Sequence, residues 1–157
     1  MLVAYLLAFA GPALGEEPTI TGAWKLASYT REEVGSGTIA HPWGEKPSGY
    51  LLLLPSGHMS MVITAEGRTP VSRDDSQYEA KSSKLMHTMT AYAGTYTRKG
   101  DTLVFHVEAA GEPDWVGTDQ PRVFKLDRDE MTLRSQPIRS WTTGQMSVFI
   151  TTWKRSG

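Results

Sequence analysis

The sequence predicts an all-β fold, a closed up-and-down barrel of eight antiparallel strands with one short helix. Three observations carry that expectation. Short runs of alternating apolar and polar residues recur along the chain after Glu17. Gly, Pro and Asp clusters separate the runs at hairpin spacing, and only one stretch has helical periodicity. Full closure removes the unpaired sheet edges that such a set of strands would otherwise expose. A β-sandwich is the other arrangement open to these strands.

In chain order, the N-terminus "MLVAYLLAFAGPALGEE" has an apolar run from Leu2 to Ala10, a break at Gly11-Pro12, and small residues at Ala13 and Gly15. That pattern predicts a secretory signal peptide over residues 1–15, with the mature domain at 16–157 in the periplasm or outside the cell. The run is well short of the roughly 20 apolar residues a spanning helix needs, so no stable membrane span is expected. The first strand is "GAWKLASYT", where Trp24 and Leu26 alternate with Lys25. The long loop "EVGSGTIAHPWGEKPSG" is able to cross or cap one barrel end. "YLLLL" and "HMSMVIT" form a hairpin around "PSG". Residues 73–90, "RDDSQYEAKSSKLMHTMT", are the helix candidate, with N-caps offered by Asp74, Asp75 and Ser76 and a shared face of Tyr78, Leu85 and Met89. The remaining strands are "AYAGTYTR", "TLVFHVEAA", "PRVFKL", "MTLRS" and "QMSVFITTWKR".

Composition narrows the function. The chain has 157 residues and a formal net charge of -1, which fits one domain and gives no basic face for nucleic acid. There is no cysteine, hence no thiolate nucleophile and no Cys-based metal site. The four histidines His41, His58, His87 and His106 lack metal-binding spacing, so no metal is expected. Serine-nucleophile, phosphate-loop and dinucleotide motifs are absent from the sequence, and no cofactor is expected.

Strand parity sorts the polar residues. Arg122 alternates in phase with Phe124 and Leu126, which turns it inward, where a charge requires a partner. In the strand before it, Leu103, Phe105 and Val107 share one face and His106 and Glu108 the other. Parity alone puts His106 and Glu108 on the outer wall, whereas Arg122's need for an acid would bring Glu108 into the cavity.

At these residues the chain resembles the lipocalin-like domain proteins, small calycin-type barrels of bacteria and fungi. The resemblance runs through "GAWKL", "HPWGEKPSGYLLLLPSGHMSMVI", "AYAGTY", "HVEAAGEPDWVGTDQPRVFKL" and "TTWKR". It implies that Gly22-x-Trp24 plugs the closed end, with Arg155 or Lys154 over the indole. It also implies a polar cluster of His106, Glu108 and Arg122 within reach of the cavity. Phe105 stands where a second His is common in the family, which speaks against a two-His mechanism or metal site.

The expected function is binding of one small, mostly apolar molecule as a carrier or sequestering protein. Arg122 would orient its polar group, with Tyr92, Tyr96, Met59 and Met61 as pocket wall and Trp115 as a gating aromatic. The alternative is a cofactor-free isomerase, cyclase or dehydratase acting on a hydrophobic carbonyl compound, with His106 and Glu108 as acid and base. A barrel filled by its own side chains and used for protein contact is the third reading.

Overall fold

A computed structural model describes residues 19–140 and 143–157. The expected signal peptide over residues 1–15 lies outside the described residues. The eight expected strands are all present. They are β1 (Gly22–Glu33), β3 (Ser48–Leu53), β4 (His58–Thr64), β5 (Met89–Lys99), β6 (Thr102–Ala110), β7 (Asp119–Asp127), β8 (Glu130–Ser135) and β10 (Met146–Ser156). Each pairs antiparallel with its neighbour in the order β1-β3-β4-β5-β6-β7-β8-β10, and β1 pairs with β10 to close the cylinder. Two additional two-residue strands, β2 (Ile39–Ala40) and β9 (Ile138–Arg139), extend the sheet beside β1 and β10. Strands that short carry no readable alternation.

The helix is shorter than the sequence pattern suggests. α1 spans Tyr78–Met86, buries no residue, and is preceded by Gln77 with no side-chain cap. Asp75 is not the cap: its carboxylate accepts the Gln77 N–H at 2.8 Å and the Lys81 ammonium at 2.6 Å, closing a turn before the helix. At the other end Met89 already pairs with Thr64, so β5 claims residues assigned to the helix.

Two irregularities decide which side chains face inward. In β1 the register shifts between Leu26 and Ser28. Trp24 and Leu26 point inward before the bulge, and Tyr29 and Arg31 after it, with Lys25 and Ala27 exposed. In the β5–β6 pair, Ala93 faces Ala109 but Gly94 faces Val107, which leaves Glu108 unpaired. The bulge draws two backbones together at Gly94, where an added Cβ would overlap the His106 carbonyl oxygen. Only a residue without a Cβ fits there. Gly94→Ala is therefore expected to destabilise the barrel by about 1–3 kcal/mol, as overpacking does, in urea-unfolding curves. An unchanged midpoint would mean that the two strands are not held this closely.

The barrel is filled at one end. Trp24, Leu51, Leu53, Leu103, Phe105, Met131 and Trp153 are fully enclosed there. The expected plug is present. The Arg155 guanidinium lies 4.2 Å from the Trp24 ring centroid and donates to the backbone carbonyls of Thr21 at 2.9 Å and Thr19 at 2.6 Å. The indole N–H of Trp24 donates to the Ile20 carbonyl at 2.8 Å.

Candidate functional site

The other half of the barrel encloses a cavity of about 430 Å³. Its walls come from mid-strand residues: Tyr29 of β1, Met61 and Ile63 of β4, Tyr92 of β5, Arg122 of β7, Leu133 of β8, and Phe149 and Thr151 of β10. Loops complete the mouth. Trp43 stacks on Tyr29 with centroids 4.4 Å apart and planes within 9°. Its loop is pinned by Glu66, whose backbone N–H donates to the Trp43 carbonyl at 2.9 Å and whose carboxylate accepts the N–H groups of Glu45 and Lys46. Trp115 ends a 3₁₀ turn (Pro113–Trp115) and packs 5.5 Å from the Tyr92 ring. Its carbonyl accepts the Thr118 hydroxyl at 2.7 Å, which fixes the turn. His87, Glu112, Asp114 and Arg139 line the cavity from exposed positions at the rim.

Inside, the polar groups converge on Arg122. This residue is half-buried and contributes to the cavity wall, as its alternation with Phe124 requires. Its guanidinium donates to the Pro121 carbonyl at 2.8 Å and to the Gln120 side-chain oxygen at 3.4 Å. Among the described residues, no carboxylate forms an ion pair with it. Its charge reaches both cavity phenols. Burial pushes the Tyr92 hydroxyl's pKa up, and the Arg122 guanidinium against that hydroxyl partly opposes the shift. Burial likewise raises Tyr29, with Arg122 and then Arg31 pulling the other way. Both phenols therefore stay neutral near pH 7 and act as O–H donors. The enclosed part of the cavity thus presents one cation and two neutral phenols on mostly apolar and aromatic walls, with the hydroxyls of Ser135 and Thr151 beside them and the charges of Glu112, Asp114 and Arg139 at the exposed rim. Such a surface can hold a molecule by its polar end.

The expected pocket residues divide. Arg122, Tyr92, Met61 and Trp115 line the cavity, but Met59 and Tyr96 do not. Met59 is packed into the filled core, and Tyr96 is half-buried, with its hydroxyl donating to the Leu54 carbonyl at 3.0 Å. Both have the inward parity expected of them, but they stand too near the closed end to reach the cavity.

The expected position of His106 and Glu108 within reach of the cavity is not what the structure has: neither residue lines it. Leu103, Phe105 and Val107 take the inward face of β6, and His106 points from the outer wall. There its Nδ1 is 2.6 Å from the Asp119 carboxylate and its Nε2 is 3.1 Å from the Thr97 hydroxyl, so both ring nitrogens have partners on the barrel surface. The acid beside the histidine is thus Asp119, which pairs directly with it across β6 and β7. Glu108 is the extra residue of the bulge and is exposed. Arg122 is held by neutral partners, Gln120 and Pro121, and not by an acid, so its inward position does not bring Glu108 with it.

Two important wall residues escape sequence reasoning. Simple alternation from Trp24 and Leu26 turns Tyr29 outward, and only the bulge after Leu26 reverses it. Trp43 sits in a loop where no periodicity applies, and an indole among Gly, Pro and charged residues was its sole signal.

Among the described residues, no group of three or more His, Asp or Glu side chains could hold a metal ion, and no helix is long and apolar enough to cross a membrane. No curated protein is similar enough to the chain to count as a match. Residues 21–156 match the lipocalin-like domain family, nearly the full extent of the barrel. With the closed eight-stranded cylinder, the Trp24 plug and that match in agreement, the chain belongs to the lipocalin-like domain family.

Proposed function

We propose that this protein binds one small, mostly apolar molecule in the open half of the barrel, as a carrier or sequestering protein. The observation that carries this reading is the cavity of about 430 Å³, whose mostly apolar and aromatic walls surround Arg122 and Tyr92, with further charged groups only at the rim. That volume lies within the usual range for small-molecule sites, and its combination of apolar wall and a few fixed polar groups is typical of them. The ligand's carbonyl, carboxylate or hydroxyl would meet Arg122 and Tyr92. Met61, Ile63, Leu133 and Phe149 would take its apolar body, and Trp43 and Trp115 would cover it at the mouth. The same proposal takes the N-terminal apolar run as an export signal and sets the barrel in the periplasm or outside the cell.

The acid–base alternative has no support from the geometry, because His106 and Glu108 face away from the cavity. The filled-barrel reading fits only the closed half. The neutral fluorophore N-phenyl-1-naphthylamine tests the proposal. Its emission should rise and shift to the blue at a stoichiometry of one per chain, and native mass spectrometry should detect the one-to-one complex. No binding of this neutral probe, nor of an apolar carboxylate or alcohol, by either method would return the interior to a purely structural role.

A further inference from the structure

We infer that the cavity selects a monoanion, an apolar carboxylate, over neutral molecules of the same size. This inference rests on the binding proposal above and specifies the ligand's charge. A guanidinium stays charged at any physiological pH and has five donors in a planar fork. Here the Pro121 carbonyl and the Gln120 amide oxygen accept bonds from Nη1 and Nη2, the Tyr92 hydroxyl lies against the same guanidinium, and all three partners are neutral. Arg31, the other inward cation of this half, lies 3.7 Å from Glu33 and is thereby offset. Arg122 has no such acid among the described residues; Glu112 and Asp114 line the cavity only from its exposed rim, beside Arg139 and screened by water, so the enclosed interior keeps one positive charge without an ion pair.

That charge tolerates an empty, hydrated cavity, because water screens it. A neutral apolar ligand would expel the water and leave the cation desolvated with no opposite charge, which is costly. A carboxylate would replace the water with a paired, hydrogen-bonded charge, and Arg binds carboxylates in two-pronged geometry. The neutral phenols of Tyr29 and Tyr92 add O–H donors near the same point, which suits an anion's several lone pairs. One net cation also matches one negative charge better than the two of a phosphate monoester.

The test compares decanoate with 1-decanol, each below its micellar concentration, by titration calorimetry and by displacement of N-phenyl-1-naphthylamine. Decanoate should bind at least tenfold more tightly than 1-decanol. Arg122→Met should remove that advantage without weakening 1-decanol binding. His106→Asn, on the outer wall, should leave both affinities unchanged. Equal affinity of the unmodified protein for the two compounds, or tighter binding of 1-decanol, overturns the inference while leaving cavity binding intact. Failure of the fluorophore, decanoate and 1-decanol alike to bind overturns the binding proposal and the inference together. The two-ligand comparison on the unmodified protein decides the matter even if Arg122→Met does not fold.

Discussion

Trp24→Ala is expected to lower the unfolding free energy by about 3–5 kcal/mol, the range for removing a large buried aromatic. The indole is fully enclosed at the closed end of the barrel. Its loss opens a void, strips the Ile20 carbonyl of its donor, and leaves the Arg155 guanidinium without the ring it covers. These losses fall together because β1 also closes the cylinder against β10, with Trp24 directly opposite Arg155. Arg155→Met should cost less, about 0.5–2 kcal/mol for the cation–π contact, plus the bonds to Thr19 and Thr21. Urea-unfolding curves for both variants check the order. A Trp24→Ala midpoint close to that of the unmodified protein would show that the plug does not contribute to closure.

Arg122→Met is expected to act in the opposite direction on the ligand-free protein, raising its stability by about 0.5–2 kcal/mol. The reason is that the native residue holds a half-buried charge against neutral partners only, an arrangement that stability alone would not favour. Methionine has similar length, no charge, and enough flexibility to fill the wall. Thermal melts without ligand should rise, while added decanoate should stabilise the variant less than it does the unmodified protein. A lower melting temperature would indicate that the bonds to Gln120 and Pro121 outweigh the desolvation of the cation.

These two variants separate the halves of the barrel. Trp24 lies in a region packed to completion, where the side chains answer only to each other. Arg122 lies where the wall includes polar groups that the fold does not consume. The division follows the strands. Residues near the closed end, such as Met59 and Tyr96, have the same inward parity as Met61 and Tyr92, yet they contribute to the core rather than the cavity.

Much of the fold was legible in the chain because its signals are local. Alternation along β4 and β8 identified strands and their inward faces, since consecutive side chains on a strand must point in opposite directions, whereas in β6 it left open which face turns inward. The turns "PSG", "KGD" and "DRD" set the hairpins between consecutive strands. For the same reason, the inward aim of Arg122 could be read from Phe124 and Leu126 alone.

What the tertiary structure decided was everything that depends on register and depth. The bulge after Leu26 brought Tyr29 into the cavity, and the bulge at Glu108 left that acid in solvent. His106 found Asp119 through a cross-strand pairing 13 residues away, and Trp43 reached Tyr29 from a loop with no periodicity. A one-residue slip reverses a strand's faces at little local cost, so it leaves no trace in composition or spacing. Alternation along the chain therefore determined an all-β domain of eight strands with an arginine turned inward, and the pairing of β1 with β10 decided that it closes as a barrel. Only the assembled cylinder decided which residues share the cavity with that arginine, because that depends on contacts between strands.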